Sequence, residues 1–395
     1  MQARLRLTTL AHTGWTLVEP LVCGVVPVVF TTVVLLAASR HNYLAVDFHH
    51  HFWPAAYQVL HGVSPFPAAH AKINLGSFIY PAFAAVLLVP FALFSRAIGD
   101  PLFVVILAAA LFFTLRLLRI RDWRCYGIVL AWAPVFHALH TANFTLLIAV
   151  ALAAVWRVRG RPIAAGAIVG SVIALKVFMW PLVIWFLVAK RYRAAAWSIA
   201  FAAVITVASW GAVGFAEFTT YPRMVATFDR ISAPATYTLV GAGVRLGLGQ
   251  TAAEAVAWVV GLTCLAFAIA LTRRNGLDAR SFAAVVFAAI LLSPIVWLHY
   301  FTLLLVPLAI LRPRFGPLWM VPILFWPLRV GPAGPSLLSL PLLIGSAVLL
   351  VLAARPSRAQ KSPVMLRGML PRPSPRSVGE SPAADRAAAA SAGGG

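Results

Sequence analysis

The sequence predicts an all-α polytopic integral membrane protein with about 11–13 transmembrane or re-entrant helices. Of its 395 residues, 62% are hydrophobic and only 11% are charged, whereas soluble domains average about 45–50% apolar and about 25% charged. The apolar runs at residues 282–292 and 337–352 lack the alternation of a transmembrane barrel strand. Because backbone in lipid must satisfy its own hydrogen bonds, these runs are expected to be helices.

The basic residues indicate topology rather than a nucleic-acid partner. A formal charge of +22 would suggest nucleic acid in a soluble protein. Here Arg and Lys form short clusters between apolar runs, which is typical of cytoplasmic loops. The clusters at 157–161, 190–193, 273–280 and 312–314 are therefore expected on the cytoplasmic face. The basic N-terminus is expected there too, as an internal anchor without a cleavable signal.

The chain divides into a transmembrane domain, residues 1–354, and a disordered basic cytoplasmic tail, residues 355–395. Two long loops, 39–77 and 214–250, are expected on the extracytoplasmic face. The apolar segments on either side of Lys176 are too short to span, so they form a hairpin with Lys176 at its apex. One conflict remains, because segments 78–94 and 102–118 cannot both cross between an outer Asp47 and an inner Arg116. Either one of the two is re-entrant, or 163–189 is one long helix and two basic loops lie outside; positive-inside counting favours the re-entrant version.

Asp47 is the strongest candidate for a general base. The chain has only ten acids, and four of them lie in or beside the outer loops: Asp47, Glu217, Asp229 and Glu254. Asp47 follows the first span in an aromatic-rich segment, where partial desolvation would raise its pKa and suit it to proton abstraction. The alternative is an ordinary loop acid or a helix N-cap.

Lys176 and His299 are candidate phosphate contacts. A cation at membrane depth costs roughly 2.5–3.5 kcal/mol and therefore indicates a functional site, and an ammonium suits a phosphate partner. The alternative for Lys176 is snorkelling towards an interface. His299 follows a helix end marked by Pro294; it either meets a phosphate or satisfies free backbone carbonyls. Together with Asp47, these residues favour chemistry on a phosphate-bearing lipid.

No metal site and no cofactor are predicted. Consecutive residues His49, His50 and His51 point about 100° apart on a helix, and Asp47 with His51 supplies only two ligands. The chain has no HExxH motif and no visible nucleotide-binding fold, although assistance by a divalent metal is left open. The three cysteines lie in or beside apolar runs and are interpreted as structural thiols.

Three segments resemble the polyprenol-phosphate-sugar-dependent enzymes of glycosyltransferase family 87, the actinobacterial mannosyl- and arabinosyltransferases with the GT-C fold. The first is VDFHHHFWPAAYQVLHGVSPF followed by FIYPAFAAVLLVPFAL, with Asp47 and Phe48 after the first span and Tyr80 and Pro81 opening the next segment. The second is GRPIAAGAIVGSVIALKVFMWPLVIWFLVAKRYRAAA, which contains Lys176. The third is LLSPIVWLHYFTLLLVPLAIL.

The resemblance implies that Asp47 is the catalytic base and that Lys176 and His299 bind the donor phosphate. Where the family often has Gly-Gln-x-Asn, this chain has His-Thr-Ala-Asn and keeps only Asn143. Arg245 resembles a recurring family arginine. The candidate substrate contacts are Asn143, Arg245, His51, Tyr80 and Trp297.

The implied function is transfer of a mannosyl or arabinosyl residue from a polyprenyl-phosphate donor to a cell-envelope glycolipid or polysaccharide. The reaction is expected on the extracytoplasmic face of the plasma membrane, with membrane lipid as surroundings. A transporter or flippase of a lipid-linked saccharide is the alternative, although transporters commonly carry internal repeats and no second copy of the Lys176 hairpin is visible. A non-enzymatic scaffold would leave Lys176 unexplained.

Overall fold

Helices are the only regular elements in the described part of the chain, residues 18–68, 71–328 and 339–355 of a computed structural model. The predicted all-α class is confirmed. The predicted disordered tail beyond residue 355 lies outside the described residues. Both long loops contain helices of their own, so they are folded parts of the protein.

Helices of very different lengths make up the described part of the chain. The α-helices, in chain order, are α1 (Val26–Arg40), α2 (Trp53–Leu60), α3 (Ala82–Leu87), α4 (Val89–Ala92), α5 (Arg96–Leu117), α6 (Trp123–Ile128), α7 (Ala133–Thr141), α8 (Thr145–Val158), α9 (Pro162–Leu175), α10 (Pro181–Val188), α11 (Tyr192–Ala212), α12 (Tyr221–Ser232), α13 (Leu239–Arg245), α14 (Gln250–Asn275), α15 (Ala279–Leu291), α16 (Leu305–Leu311) and α17 (Ser339–Ala354). Short π-helical turns precede α1 and α2, at Leu21–Val25 and Phe48–Phe52. Short 3₁₀ helices occupy Val129–Ala131, Val177–Met179, Ala233–Ala235, Leu298–Leu304, Pro317–Trp319 and Val321–Leu328.

Several helices are long and apolar enough to cross a membrane. Within the described residues there are four of them, at Val18–Arg40, Arg96–Leu117, Tyr192–Ala212 and Gln250–Asn275. The pair α7 and α8 meets the same criterion when taken together, but its two halves are bent by 119°. Shorter apolar helices, such as α9 and α15, pack between these spans. The architecture is that of a polytopic membrane protein.

The bundle has two chemically different ends. Helix α14 has Glu254 in its first turns and Arg273 and Arg274 in its last turn. Helix α8 begins two residues after Asn143 and has Arg157 in its last turn. These basic ends meet, because Arg159 Nε donates to the carbonyl of Leu277 at 3.3 Å. Helix α9 then returns to Lys176. The basic clusters 157–161, 190–193 and 273–280 thus share the end opposite the candidate site residues, as the positive-inside rule predicts.

Both segments involved in the topological conflict left by the sequence are broken into short helices. Helix α9 ends at Leu175, Lys176 has extended backbone angles (φ −147°, ψ 103°), and α10 begins only at Pro181. Segment 163–189 is therefore a hairpin rather than one long helix. Segment 78–94 holds only the short helices α3 and α4, broken at Leu88, and at 1.5 Å per residue it cannot cross the bilayer. That segment 78–94 is re-entrant stays a prediction.

Two glycines hold α9 against α11. A Cβ on Gly170 would lie 2.7 Å from the Ser198 carbonyl oxygen and 2.8 Å from the Ala202 nitrogen. A Cβ on Gly166 would lie 2.9 Å from the Ala194 carbonyl oxygen. Because both residues face backbone rather than flexible side-chain ends, the helices pack at the closest separation that glycine permits.

We expect Gly170→Ala to lower the thermal unfolding midpoint. Alanine is intrinsically better than glycine in a helix by about 1 kcal/mol, but forcing a methyl group into closely packed backbone costs about 1–3 kcal/mol, so packing decides the sign. The measurement is thermal unfolding in detergent. Gly160→Ala is the matched control, since a Cβ there meets nothing within 4 Å. Equal midpoints for the two variants would contradict the close contact.

Candidate active site

Asp47 is held at the start of the first long loop by a contact with α7. The Ala45 N–H donates to the carbonyl of His140 at 2.9 Å, and the π-helical turn that follows buries Phe48 and Phe52. The Asp47 carboxylate makes no capping hydrogen bond to this turn. Instead, its Oδ2 accepts a hydrogen bond from Asn143 Nδ2 at 2.8 Å. The N-cap alternative is therefore not what the structure contains.

Asn143 reaches Asp47 because the chain turns sharply between α7 and α8. Ala142 adopts a left-handed conformation, with φ of 52°, and the next residue is fully buried in the bend. The two amide protons of Asn143 go to Asp47 and to the Tyr80 hydroxyl, the latter at 3.0 Å. Its Oδ1 accepts from Thr145 Oγ1 at 3.1 Å and lies 3.4 Å from Lys176 Nζ. Every polar atom of this amide therefore has a partner, which fixes its orientation.

Lys176 lies at the C-terminal end of α9, where the helix dipole favours a cation. Only 5% of the residue is exposed, so it does not snorkel to an interface. Its Nζ donates to the Tyr300 hydroxyl at 2.9 Å and lies 4.1 Å from the centroid of the same ring. The Tyr80 ring is 4.9 Å away on another side. The cation is thus fixed among tyrosines.

These groups form one end of a cavity of about 740 Å³. Asp47, His51, Tyr80, Lys176 and Tyr300 line its polar end. Most of the remaining wall is apolar and comes from α12, α13, α14 and the end of α15, with Val225, Phe228, Val240, Ala257, Trp258, Leu291 and Leu292. Three charged residues, Asp229, Arg230 and Glu254, also line this part of the cavity. One cavity therefore offers both a charged, hydrogen-bonding end and a long hydrophobic wall.

The electrostatics of the polar end give Asp47 a higher pKa than an exposed aspartate has. Burial raises the pKa of Asp47, while the hydrogen bond from Asn143 and the charges of His51 and Lys176 partly oppose this rise. Burial also raises the pKa of Tyr80 well above its ordinary value, so Tyr80 stays a neutral hydroxyl. Asp47 Oδ2 is bonded to Asn143, and no hydrogen bond occupies its other oxygen within the described structure.

Three of the predicted contacts do not line the cavity: Asn143, which is fully buried, His299 and Arg245. His299 is 1% exposed and lies behind the wall, where its Nδ1 is 3.3 Å from His137 Nδ1 and the rings stack. The neighbouring Tyr300 faces the cavity instead. Arg245 lies exposed at the end of α13 and donates to the carbonyl of Pro234 at 3.2 Å. Trp297, by contrast, does line the cavity, as His51 and Tyr80 do.

The structure adds residues that the sequence interpretation did not select. Tyr300 binds Lys176 directly, and Asp229 and Glu254 line the cavity on α12 and α14. Burial and the nearby Glu254 raise the pKa of Asp229 to about 6. The available signal for these two acids was the scarcity of carboxylates, since both were among the four outer-face acids. For Tyr300, the signal was its place one residue after His299.

The histidine-rich turn beside Asp47 does not gather metal ligands. His49 Nδ1 pairs with Asp100 Oδ2 at 2.6 Å, which ties the turn to α5. Across the described ranges, no group of three or more His, Cys, Asp or Glu side chains is arranged to hold a metal ion. The His49–Asp100 pair is therefore best understood as a support for the turn that carries Asp47.

The sequence around this cavity matches a known protein family. The model of glycosyltransferase family 87 matches residues 78–294, which is more than half of the chain. The chain belongs to glycosyltransferase family 87. No curated protein and no solved structure matches it. The sequence-based identification of the family is confirmed.

The family 87 match covers Tyr80, Asn143 and Lys176 but ends before Tyr300 and begins after Asp47. Family membership indicates a glycosyltransferase, which requires a sugar donor and an acceptor, and the apolar helices agree with a membrane enzyme. Asp47 lies outside the matched segment, so its role is inferred from its contacts in the cavity. It is hydrogen-bonded to Asn143, which in turn contacts Tyr80 and Lys176.

Proposed function

We propose that this family 87 protein transfers a mannosyl or arabinosyl residue from a polyprenyl-phosphate donor to a cell-envelope glycolipid or polysaccharide. The observation that carries the proposal is the pairing, in one cavity, of the Asp47–Asn143–Lys176–Tyr300 network with a long apolar wall. The network suits a sugar phosphate and the wall suits its lipid.

Asp47 is the proposed general base. Its oxygen without a hydrogen-bond partner takes the proton of the acceptor hydroxyl as that oxygen attacks the anomeric carbon in line. Asn143 holds the other oxygen and so points the carboxylate into the cavity. The raised pKa makes Asp47 a stronger base than an exposed aspartate.

Lys176 and Tyr300 are proposed to stabilise the leaving phosphate. As the new carbon–oxygen bond forms, the bond from the anomeric carbon to the phosphate oxygen breaks and the electron pair leaves with polyprenyl phosphate. The phosphate thereby gains one negative charge. An ammonium held in a buried position offsets this charge at no cost of reorganisation, and the Tyr300 hydroxyl, 2.9 Å from Nζ, lies beside it.

The apolar wall supports a lipid-linked donor. Trp258 on α14 lines the cavity and is 53% exposed, and its neighbour Val259 on the outer surface is 65% exposed. Side chains of this type on a spanning helix are solvated by acyl chains. A donor lying in the bilayer would reach the polar end without leaving the hydrocarbon.

The extracytoplasmic face of the plasma membrane is the proposed location of the cavity. Support comes from the basic clusters, which lie at the opposite end of α8, α9 and α14. The long segments 39–77 and 214–250 supply Asp47, Asp229 and their neighbours to the cavity end, as expected of outer loops that belong to one domain over residues 1–354.

The direct test uses purified protein in detergent with radiolabelled polyprenyl-phosphate mannose or arabinose and a short acceptor glycan. We expect labelled product from one of these donors and none from the matching nucleotide sugar. Transport cannot be scored in detergent, so product formation also separates the enzyme from a flippase. Transfer from the nucleotide sugar alone would contradict the proposed donor class.

We expect the transfer rate to fall at low pH as Asp47 becomes protonated. A base works only when deprotonated, and since burial raises the pKa of Asp47, the rate is lost at a higher pH than the ordinary value of about 3.9 would give. The measurement is the initial rate against pH at saturating donor. The pKa of Asp229 is also raised, to about 6, so the pH profile of Asp229→Asn is compared. Disappearance of the acid limb in that variant would assign the limb to Asp229 instead.

A further inference from the structure

A second cavity, of about 300 Å³, lies at the end of the bundle opposite Asp47. We name it the basic cleft; it is lined by Arg159, Gly160, Pro162 and residues 190–194. These residues are the two ends of the Lys176 hairpin and the start of α11. With 14 residues in α9, the cleft lies roughly 21 Å along the helix from Lys176. It is therefore separate from the proposed active site.

The basic cleft gathers positive charge that forms no salt bridge within the described residues. Arg159, Lys190, Arg191 and Arg193 line it, and none of them forms a salt bridge with an acid in the part of the chain that the structure describes. The nearby acid Asp278 is engaged elsewhere, since its Oδ1 accepts from the Ser281 N–H at 2.7 Å. Four cations around one cavity, with no salt-bridged acid in the described ranges, favour the binding of an anion.

Arg159 is fixed at the cleft rather than mobile in solvent. Its guanidinium lies 3.8 Å from the Trp156 ring centroid and donates to the carbonyls of Trp156 and Leu277. Burial and the charge of Arg157 lower its pKa. One wall of the cleft thus carries a preorganised cation, whereas Lys190 and Arg193 are exposed at the rim.

The N-terminal ends of α9 and α11 also favour an anion in the basic cleft. Helices α9 and α11 both begin at the cleft, and neither has a side-chain cap at its N-terminus. Their first N–H groups have no partner within the helix and carry partial positive charge. The close contacts of Gly166 and Gly170 keep the two starts side by side.

We propose that the basic cleft binds the phosphate group of an anionic phospholipid on the bilayer face opposite the active site. Its place at the ends of membrane helices puts it at headgroup depth, where basic pockets between helices recognise anionic lipid. Tyr192, 62% exposed at the rim, is an aromatic residue of the kind enriched at this interface. Free inorganic phosphate carries the same anionic group and is the alternative ligand for the basic cleft.

Native mass spectrometry of the full chain in neutral detergent tests the site. We expect retained phosphatidylglycerol but not phosphatidylcholine, and about 30-fold weaker retention in Lys190→Gln/Arg193→Gln, since each cation near anionic lipid contributes about fivefold. The matched control is Arg273→Gln/Arg274→Gln, which removes the same charge from the same end outside the cleft. It should retain lipid like the parent.

Two outcomes would overturn the proposal. Equal loss of phosphatidylglycerol in both double variants would show only diffuse surface charge. Displacement of the lipid by inorganic phosphate at equal affinity would assign the cleft to free phosphate. Thermal unfolding of both variants in detergent without lipid checks that folding is unchanged, since Lys190, Arg193, Arg273 and Arg274 are exposed.

Discussion

Asp47→Asn is expected to abolish most glycosyl transfer while leaving the fold intact. Asparagine has the same shape, and its carbonyl oxygen can still accept the hydrogen bond that Asn143 donates to Asp47. It cannot take a proton. Loss of a general base typically lowers the rate by about 100- to 10,000-fold, so we expect kcat to fall by this factor with little change in the KM for the donor. The measurement is transfer from labelled donor under saturating conditions.

The matched control for Asp47→Asn is Glu217→Gln. Glu217 is also an acid of the outer loops, but it does not line the cavity, and it accepts a hydrogen bond from Thr220 Oγ1 at 2.8 Å. Removing its charge should leave transfer close to the parent rate. Undiminished transfer by Asp47→Asn would exclude Asp47 as the base and would direct attention to Asp229, the next acid on the cavity wall.

Lys176→Met is expected to give the second largest loss. Methionine keeps the length of the side chain but removes the cation that is proposed to face the leaving phosphate. Hydrogen bonds to charged groups contribute about 1.5–3 kcal/mol, which corresponds to a loss of about 10- to 150-fold in kcat/KM. Because the charge of Lys176 lowers the pKa of Asp47, the acid limb of the pH profile should also move to higher pH. Initial rates against donor concentration and pH measure both effects.

A measurement of thermal unfolding distinguishes the loss of transfer activity in Lys176→Met from a folding defect. Burying a cation at membrane depth costs roughly 2.5–3.5 kcal/mol, and this relief offsets the lost contacts of Lys176 with Tyr300 and Asn143. The thermal midpoint of Lys176→Met should therefore change little. Lys72→Met, at an exposed position of the outer loop, is the control for activity. A pH profile unchanged by Lys176→Met would contradict the contact between its charge and Asp47.

Asp47 and Lys176 were predictable from the sequence because charge in an apolar environment is costly. In a chain with ten acids, an acid within an aromatic segment beside a span stands out, as does a lysine between two apolar runs. The same argument could not show that Asn143 joins them. Its position depends on the bend after Ala142, and alanine is not a residue expected in the left-handed region.

His299 and Tyr300 show that a local sequence pattern does not determine which side chain of a segment enters the cavity. The segment Leu298–Leu304 is a 3₁₀ helix rather than an α-helix. With three residues per turn, Trp297 and Tyr300 share one side, and both line the cavity. His299 is then directed away, towards His137. The sequence indicates that this segment reaches the site, but helix type decides which side chain enters it.

Local sequence is sufficient for the membrane class, the helical fold, the family and the end of the bundle that carries the basic clusters. These properties follow from how each stretch of chain is solvated by lipid or water, which composition records locally. Which side chains meet, in contrast, depends on how the helices pack. Asp47 and Asn143 are 96 residues apart, and Lys176 and Tyr300 are 124 residues apart. Such contacts require helix breaks and packing between distant segments, which no local pattern encodes.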